Sequence, residues 1–265
     1  MTLVRESLLT KLGFRFGSNG PHAARTMMLD DLVALFARLP VTARREDYSA
    51  EIIDGNCLGK PTRKARELAF RHLSVLYGLD PDQAVFSALR RLWRGEEAAR
   101  PVLALTAALA RDPLLRGTQD FILAKQLGQT VYRDDLEKVL KSTYPDRFSP
   151  ASLKSFAQNV NGTWTQAGFL VGHVRKTRVQ PKIAPANVAF SLFLGYLEGL
   201  SGQLLFSSTW AKLLDSSHDE LETLASSASH RGLLVFMSAG GVKELRFPDY
   251  LSPEQESWRQ EASRV

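Results

Sequence analysis

Apolar residues recur at the three- and four-residue spacing of amphipathic helices over the first half of the chain. The run from Met28 to Leu39 predicts one such helix, and Thr62 and Gly78 are suited to begin and end the next one, as an N-cap and a C-terminal glycine. From residue 25 to residue 143 one helical pattern follows another, with short loops between them. This arrangement predicts a helical bundle.

Two Asp-Pro pairs predict further helix starts, because each places an N-cap residue before a proline at the first helical position. They are Asp80-Pro81 and Asp112-Pro113. The apolar segment Pro101–Ala110 predicts a helix between them, and Arg133–Ser142 predicts one after them. Residues 1–24 show no comparable pattern, and we expect a loose lead-in there.

The pattern changes after residue 145 to a helix followed by two short β-prone runs. The helix is expected from Pro150 to about Thr163, and the runs are Phe169–Val174 and Val179–Ile183. They flank the basic segment Arg175–Arg178, which predicts a hairpin with a basic tip. Pro181 limits the second strand to the edge of a sheet, because proline has no N–H to donate.

A similar order of elements follows later in the chain, without a repeat of fixed period. Helices are expected near Thr209–Leu214 and from about His218 to His230. The runs Leu233–Met237 and Val242–Phe247 flank Ala239-Gly240-Gly241, which is a strong hairpin signal. Helix, turn, second helix and hairpin is the order of a winged helix-turn-helix, whose second helix enters the major groove of DNA.

The predicted fold is therefore mainly α, with a helical bundle followed by winged-helix-like units that carry short β-hairpins. The expected organisation is a lead-in at 1–24, a helical bundle at 25–130, a winged-helix-like unit with a basic hairpin at 131–185, and C-terminal helices plus a β-hairpin at 186–265.

Positive charge is concentrated in the predicted winged-helix-like unit. Residues 141–185 hold seven Lys or Arg against the single acid Asp146, a net charge of +6 that equals the excess of the whole chain. No Asp or Glu occurs from Arg147 through Tyr196. Such a segment can neutralise the charge of phosphate groups. Phosphate neutralisation supplies most of the non-specific affinity of proteins for DNA.

Twelve residues are candidates for nucleic-acid contact. The expected phosphate contacts in the basic unit are Lys154, Arg175, Lys176, Arg178 and Lys182. Side chains suited to base edges are Gln158, Asn159 and Thr163. A second basic cluster is Lys60, Arg63, Lys64 and Arg66, followed by Arg71 on the same helix. It lies at a predicted helix N-terminus, where backbone N–H groups also favour anions.

The sequence offers no pattern typical of an enzyme. Its five histidines are scattered, Cys57 is the single cysteine, and the common nucleophile and phosphate-loop motifs are missing. We therefore expect no catalytic residues, no metal and no cofactor. The apolar stretch Ala184–Leu200 is interrupted by polar residues, so it indicates a buried helix and not a membrane span. A cytoplasmic protein without a membrane partner is expected.

Several segments, in order, resemble the BrxA-like family of BREX bacteriophage-exclusion systems. They are Asn56–Thr62 followed by Arg63 and Arg66, the helix with Arg90-Arg91-Leu92, the apolar helix Leu103–Ala110, the segment Arg111–Arg116, and Thr163–Gly168 before a hairpin. The resemblance covers about residues 25–200, and the chain is longer at its C-terminus than typical members. None of these segments is a catalytic fingerprint.

The resemblance implies a non-enzymatic, DNA-binding component of a phage-defence locus. It implies a helical part similar to the NusB antitermination factor, winged-helix-like parts, and other components of a defence complex as partners. Two alternatives stay open from the residues alone. One is a protein–protein interaction or scaffold module without nucleic-acid contact, since winged helices also bind proteins. The other is an RNA-binding, NusB-like protein.

Overall fold

The computed structural model describes residues 2–264 and is mainly helical, with short antiparallel strands, which confirms the predicted fold class. The fourteen α-helices of this described part are α1 (Leu3–Lys11), α2 (Leu29–Arg38), α3 (Arg45–Ile53), α4 (Arg63–Tyr77), α5 (Ala84–Trp93), α6 (Arg100–Arg111), α7 (Pro113–Arg116), α8 (Gln119–Leu123), α9 (Arg133–Thr143), α10 (Pro150–Gln166), α11 (Pro185–Leu197), α12 (Thr209–Leu213), α13 (His218–His230) and α14 (Pro253–Ala262). The five strands among the same residues are β1 (Thr130–Val131), β2 (Leu170–Val171), β3 (Lys176–Arg178), β4 (Val235–Ala239) and β5 (Val242–Arg246).

Contacts between Cα atoms group the chain into two compact units made of interleaved segments. The first unit comprises the chain through Phe16, the segment Asp82–Thr106, and the chain from Pro181 onward. The second unit comprises Gly17–Pro81 and Ala107–Gln180. Within residues 2–264, no helix combines the length and the hydrophobicity needed to cross a bilayer.

The first unit is built around α11, the helix predicted from the apolar stretch at 184–200. Nearly every residue of α11 is buried, as expected for a helix that is apolar on all sides, and α11 packs against α5, α12 and α13. The predicted hairpin of this unit is also present. Ala239 pairs with Val242, which leaves Gly240 and Gly241 as a two-residue turn with φ of 57° and 81°. Two positive φ angles match the tight turn that a β-hairpin prefers.

The second unit has α10 near its centre, packed against α9, and a small three-stranded sheet beside it. The strand order is β1-β3-β2, with both pairs antiparallel. A hairpin is present where the sequence predicted one, but its second strand is Lys176–Arg178, not Val179–Ile183. The basic segment therefore forms a strand instead of the tip, and the turn lies at 172–175. Pro181 has no N–H to donate to a neighbouring strand, so a strand that ends before it, at Arg178, is favoured.

Helix starts were predicted well where a side chain caps the helix. Thr62 accepts a hydrogen bond from Ala65 N–H, and Asp112 accepts from the first turn of α7. The prediction at Asp80-Pro81 is wrong, because α5 begins only at Ala84. The loose lead-in is also wrong, since it contains the nine-residue helix α1 with Leu8 and Leu9 buried. Helix α3 was missed because its sequence, with the buried pair Tyr48 and Ile52, is mostly polar.

Candidate nucleic-acid interface

Helix α10 presents one polar face to solvent. Ser149 begins the helix by accepting a hydrogen bond from Ser152 N–H (3.2 Å). Lys154 and Gln158 are exposed and lie one turn apart. On the opposite side Phe156 is buried, so the amphipathic pattern fixes which face of α10 meets solvent. Ser155, which the prediction did not include, is exposed beside Lys154.

The hairpin beside α10 carries the exposed cation Arg175 in its turn. Lys176, the first residue of β3, is half-buried, and its ammonium donates a hydrogen bond to the Gly172 carbonyl (2.6 Å). Burial lowers the pKa of Lys176 below the ordinary lysine value. Lys182 is exposed and belongs to the first unit.

A cleft of about 340 Å³ connects the face of α10 with the hairpin. Gln158 lines it from the helix, and His173, Val174 and Lys176 line it from the hairpin. Two of the predicted contact residues, Gln158 and Lys176, lie on α10 and on the hairpin that follows it in the chain, and they share one continuous surface.

Thr163 is wrongly placed among the candidates for base contact. Its side chain is 0% exposed, because α10 turns this position into the protein. The Thr163 hydroxyl oxygen accepts a hydrogen bond from Met27 N–H (2.9 Å) and lies 2.8 Å from His22 Nε2. Asn159 is half-buried, and its amide donates to the His22 carbonyl (3.1 Å), so it too serves the packing of α10.

Arg178 is also wrongly placed among the phosphate contacts, since it is 1% exposed. Its guanidinium donates to the Phe169 carbonyl (3.3 Å) and to the Val179 carbonyl, and it lies over the Phe169 ring, 5.2 Å from the centroid. Strand β3 alternates its side chains, and this residue points into the protein. Arg178 therefore anchors the hairpin to the loop before β2.

Three buried residues fix the position of α10, and sequence analysis missed them as a group. Asp112 accepts hydrogen bonds from the His22 backbone N–H (3.0 Å) and from His22 Nδ1 (2.8 Å), and His22 Nε2 continues to Thr163. Burial by itself raises the pKa of Asp112, but the hydrogen bonds and charge of His22 and the backbone N–H of Leu115 outweigh it and lower the pKa. The residues are separated by 90 and 141 positions, so no local motif signals them.

The order carboxylate, imidazole, hydroxyl is also that of a hydrolytic triad. Here Asp112, His22 and Thr163 are all 0% exposed, and the hydroxyl already bonds to a backbone N–H. A substrate cannot reach the hydroxyl in this structure. The arrangement therefore works as a structural network that joins α10 to α7 and to the 3₁₀ turn Pro21–Ala23.

Helix α9, next to α10 in the chain, is close to neutral because its acids and bases pair with one another. Arg133 contacts Asp134 (3.1 Å) and Glu137 (2.7 Å), and Lys138 contacts Asp135 (3.3 Å). Such exposed pairs contribute little to stability, but they cancel charge. The positive potential of this region therefore comes mainly from α10 and the hairpin.

The second basic cluster is partly neutralised. Lys60 pairs with Asp31 (2.8 Å), and Arg63 pairs with Asp54 (3.0 Å) and Glu67 (3.2 Å). Its other two members are Lys64, which is exposed, and Arg66, which is half-buried. With acidic partners on two of its four cations, the cluster attracts phosphate less strongly than its sequence indicates.

No protein-family model matches this sequence, and none of the curated proteins matches it significantly. The resemblance to the BrxA-like family stays a prediction that rests on the segments named above.

Proposed function

We propose that the protein binds duplex DNA through α10 and the β2–β3 hairpin, which act as a winged helix-turn-helix. The observation that carries the proposal is the cleft that Gln158 of α10 and Lys176 of the hairpin line together, within a stretch of chain that has no Asp or Glu. The order α8-β1-α9-α10-β2-β3, with the sheet order β1-β3-β2, supports it, because it brings the hairpin beside the second helix.

The exposed side chains differ in chemistry, so we assign them different contacts with DNA. Lys154, Arg175 and Lys176 supply positive charge for phosphates, and Gln158 can pair with the edge of an adenine in the major groove. With few base-directed groups on the exposed face, affinity depends mainly on phosphate contacts and shows weak sequence preference.

The biological role that we propose rests on the family resemblance. The protein would be a non-enzymatic component of a BREX-like phage-defence system, and it would bring other components of the defence complex to DNA.

Fluorescence anisotropy with a labelled random duplex, and with RNA of the same sequence, tests the binding. Three phosphate contacts predict a slope of log affinity against log salt of about −2.7 for duplex DNA. The variant Lys154→Glu, Arg175→Glu should lose at least about tenfold in affinity at low salt, because it replaces two attractive charges by repulsive ones.

The matched control is Arg38→Glu, Arg44→Glu. It changes the net charge of the same unit equally, at exposed positions outside the candidate set. An equal loss of affinity in both variants would show that only overall charge matters and would contradict the proposed surface. No binding to any duplex at low salt would favour the interaction module, and tighter binding to RNA would favour the RNA-binding alternative.

A further inference from the structure

The cleft between α10 and the hairpin has a buried hydrogen-bond acceptor without a partner. Asn161, on α10, is 6% exposed and lines the cleft. Its side-chain oxygen Oδ1 accepts no hydrogen bond from any of the residues that the structure describes. A buried polar atom left unpaired costs stability, so its presence in the wall of a cleft points to a ligand that donates a hydrogen bond there.

The charge around the cleft restricts the kind of donor. Lys176, His173 and Arg133 line it, and none of the described residues that line it is acidic. Arg133 already pairs with Asp134 and Glu137, so Lys176 is the main source of positive charge. A cationic ligand would meet like charge. A neutral donor group attached to an anion suits the cleft better, with the anion toward Lys176 and the donor toward Asn161.

The shape and the apolar lining of the cleft restrict the class of ligand further. Val131 and Val174 supply apolar wall, Gly162 leaves part of the wall without a side chain, and the volume of about 340 Å³ is within the usual range for small-ligand sites. A nucleotide combines a flat apolar ring, an exocyclic amine and a phosphate. Asn is a common partner of the adenine amine in protein–DNA complexes.

We propose that this cleft holds one unpaired nucleotide whose base carries an exocyclic amine, with the amine donating to Asn161 Oδ1 and the phosphate near Lys176. As the source of that nucleotide we name an extrahelical residue of bound DNA, a point that rests on the proposed function. An already unpaired base is the favourable case, because no base pair has to be opened. A free mononucleotide offers the same chemistry.

The test compares three labelled duplexes of one sequence by anisotropy: fully paired, with one extra unpaired deoxyadenosine, and with an abasic site at that position. Adenosine 5′-monophosphate is titrated separately by calorimetry. We expect the duplex with the unpaired deoxyadenosine to bind at least about fivefold more tightly than the abasic duplex. In Asn161→Leu this ratio should fall to about one, while Tm is unchanged or higher, because an unpaired buried polar atom has been removed.

A second variant guards against misfolding. Val174→Glu changes a side chain that is 94% exposed and should also abolish the ratio, whereas Val171→Glu, on an exposed residue outside the cleft, should keep it. A loss of Tm in Asn161→Leu would indicate a structural role and contradict the proposal, as would a ratio that survives in this variant.

The outcomes separate this inference from the proposed function. If all duplexes bind with the expected salt dependence and equal affinity, and the monophosphate does not bind, DNA binding stands and the nucleotide site is rejected. If no duplex binds but the monophosphate binds in an Asn161-dependent way, DNA binding is rejected and the site is supported with a free nucleotide as its ligand. If neither binds, both are rejected.

Discussion

Asp112 is a single carboxylate that serves two parts of the second unit at once. It caps α7 by accepting hydrogen bonds from the backbone N–H of Leu114 (2.9 Å) and Leu115 (3.2 Å), and it holds His22 through two more. In Asp112→Ala all of these buried donors lose their acceptor. We expect the free energy of unfolding to fall by at least about 3 kcal/mol, measured by urea denaturation.

The matched control for this prediction is Asp120→Ala. Asp120 is exposed in the first turn of α8, and its loss should change the free energy of unfolding by no more than about 0.5 kcal/mol. If the two variants lose similar amounts of unfolding free energy, the buried network makes no specific contribution to stability.

The pKa of Asp112 makes a second prediction, for acid stability. Since the pKa in the folded state is below the ordinary value of 3.8, the ionised carboxylate stabilises the fold above that pH, and this stabilisation is lost as the pH falls through the folded-state pKa. The difference in unfolding midpoint between the wild type and Asp112→Asn should therefore be largest above pH 3.8 and shrink below it. A difference that stays constant into more acidic solution would contradict the assignment.

One of the three residues of this network can be predicted from the sequence. Asp112 before Pro113 predicts an N-cap, because the rule involves only neighbouring residues. His22 and Thr163 could not be assigned to it, because what decides their role is a contact across the fold. A threonine on a polar-looking stretch of helix has the same local sequence whether it meets solvent or a buried imidazole.

Among the elements, the β2–β3 hairpin contains two arginines with opposite expected roles. Arg178→Ala should lower the free energy of unfolding by at least about 2 kcal/mol, because the Phe169 and Val179 carbonyls lose a charged donor and a buried side chain is removed. Arg175→Ala should change it by no more than about 0.5 kcal/mol but weaken DNA binding. Thermal unfolding and anisotropy on both variants check this; equal loss of stability in the two would contradict it.

At this scale the sequence predicts helices with a clear cap or an apolar stripe, such as α4 and α13, and it misses elements that depend on partners. Strand β1 has only two residues, and it exists because β3 lies beside it. The shift of the second strand from 179–183 to β3 has the same cause. Pairing is decided by neighbouring strands, which local β propensity does not contain.

For the whole molecule, the first unit depends on contact between the two ends of the described chain. Helix α1 packs against α14, and the Arg5 guanidinium donates to the carbonyls of Glu198 (2.7 Å) and Ala262 (3.2 Å). Removing the chain from Pro253 onward should therefore raise amide hydrogen exchange in α1. The control Glu254→Ala, at an exposed position of α14, should leave that exchange unchanged; unchanged exchange after the truncation would contradict the role of α14.

The interleaved segments also give an order to folding on the ribosome. Helix α1 is synthesised more than 200 residues before its packing partner α14, which corresponds to tens of seconds at about 5–20 residues per second. The last segment of the second unit ends at Gln180, so that unit has all its residues while the first still lacks its third segment. The unit that contains α1 is thus completed after the second unit, and a nascent α1 must stay available until α14 has been made.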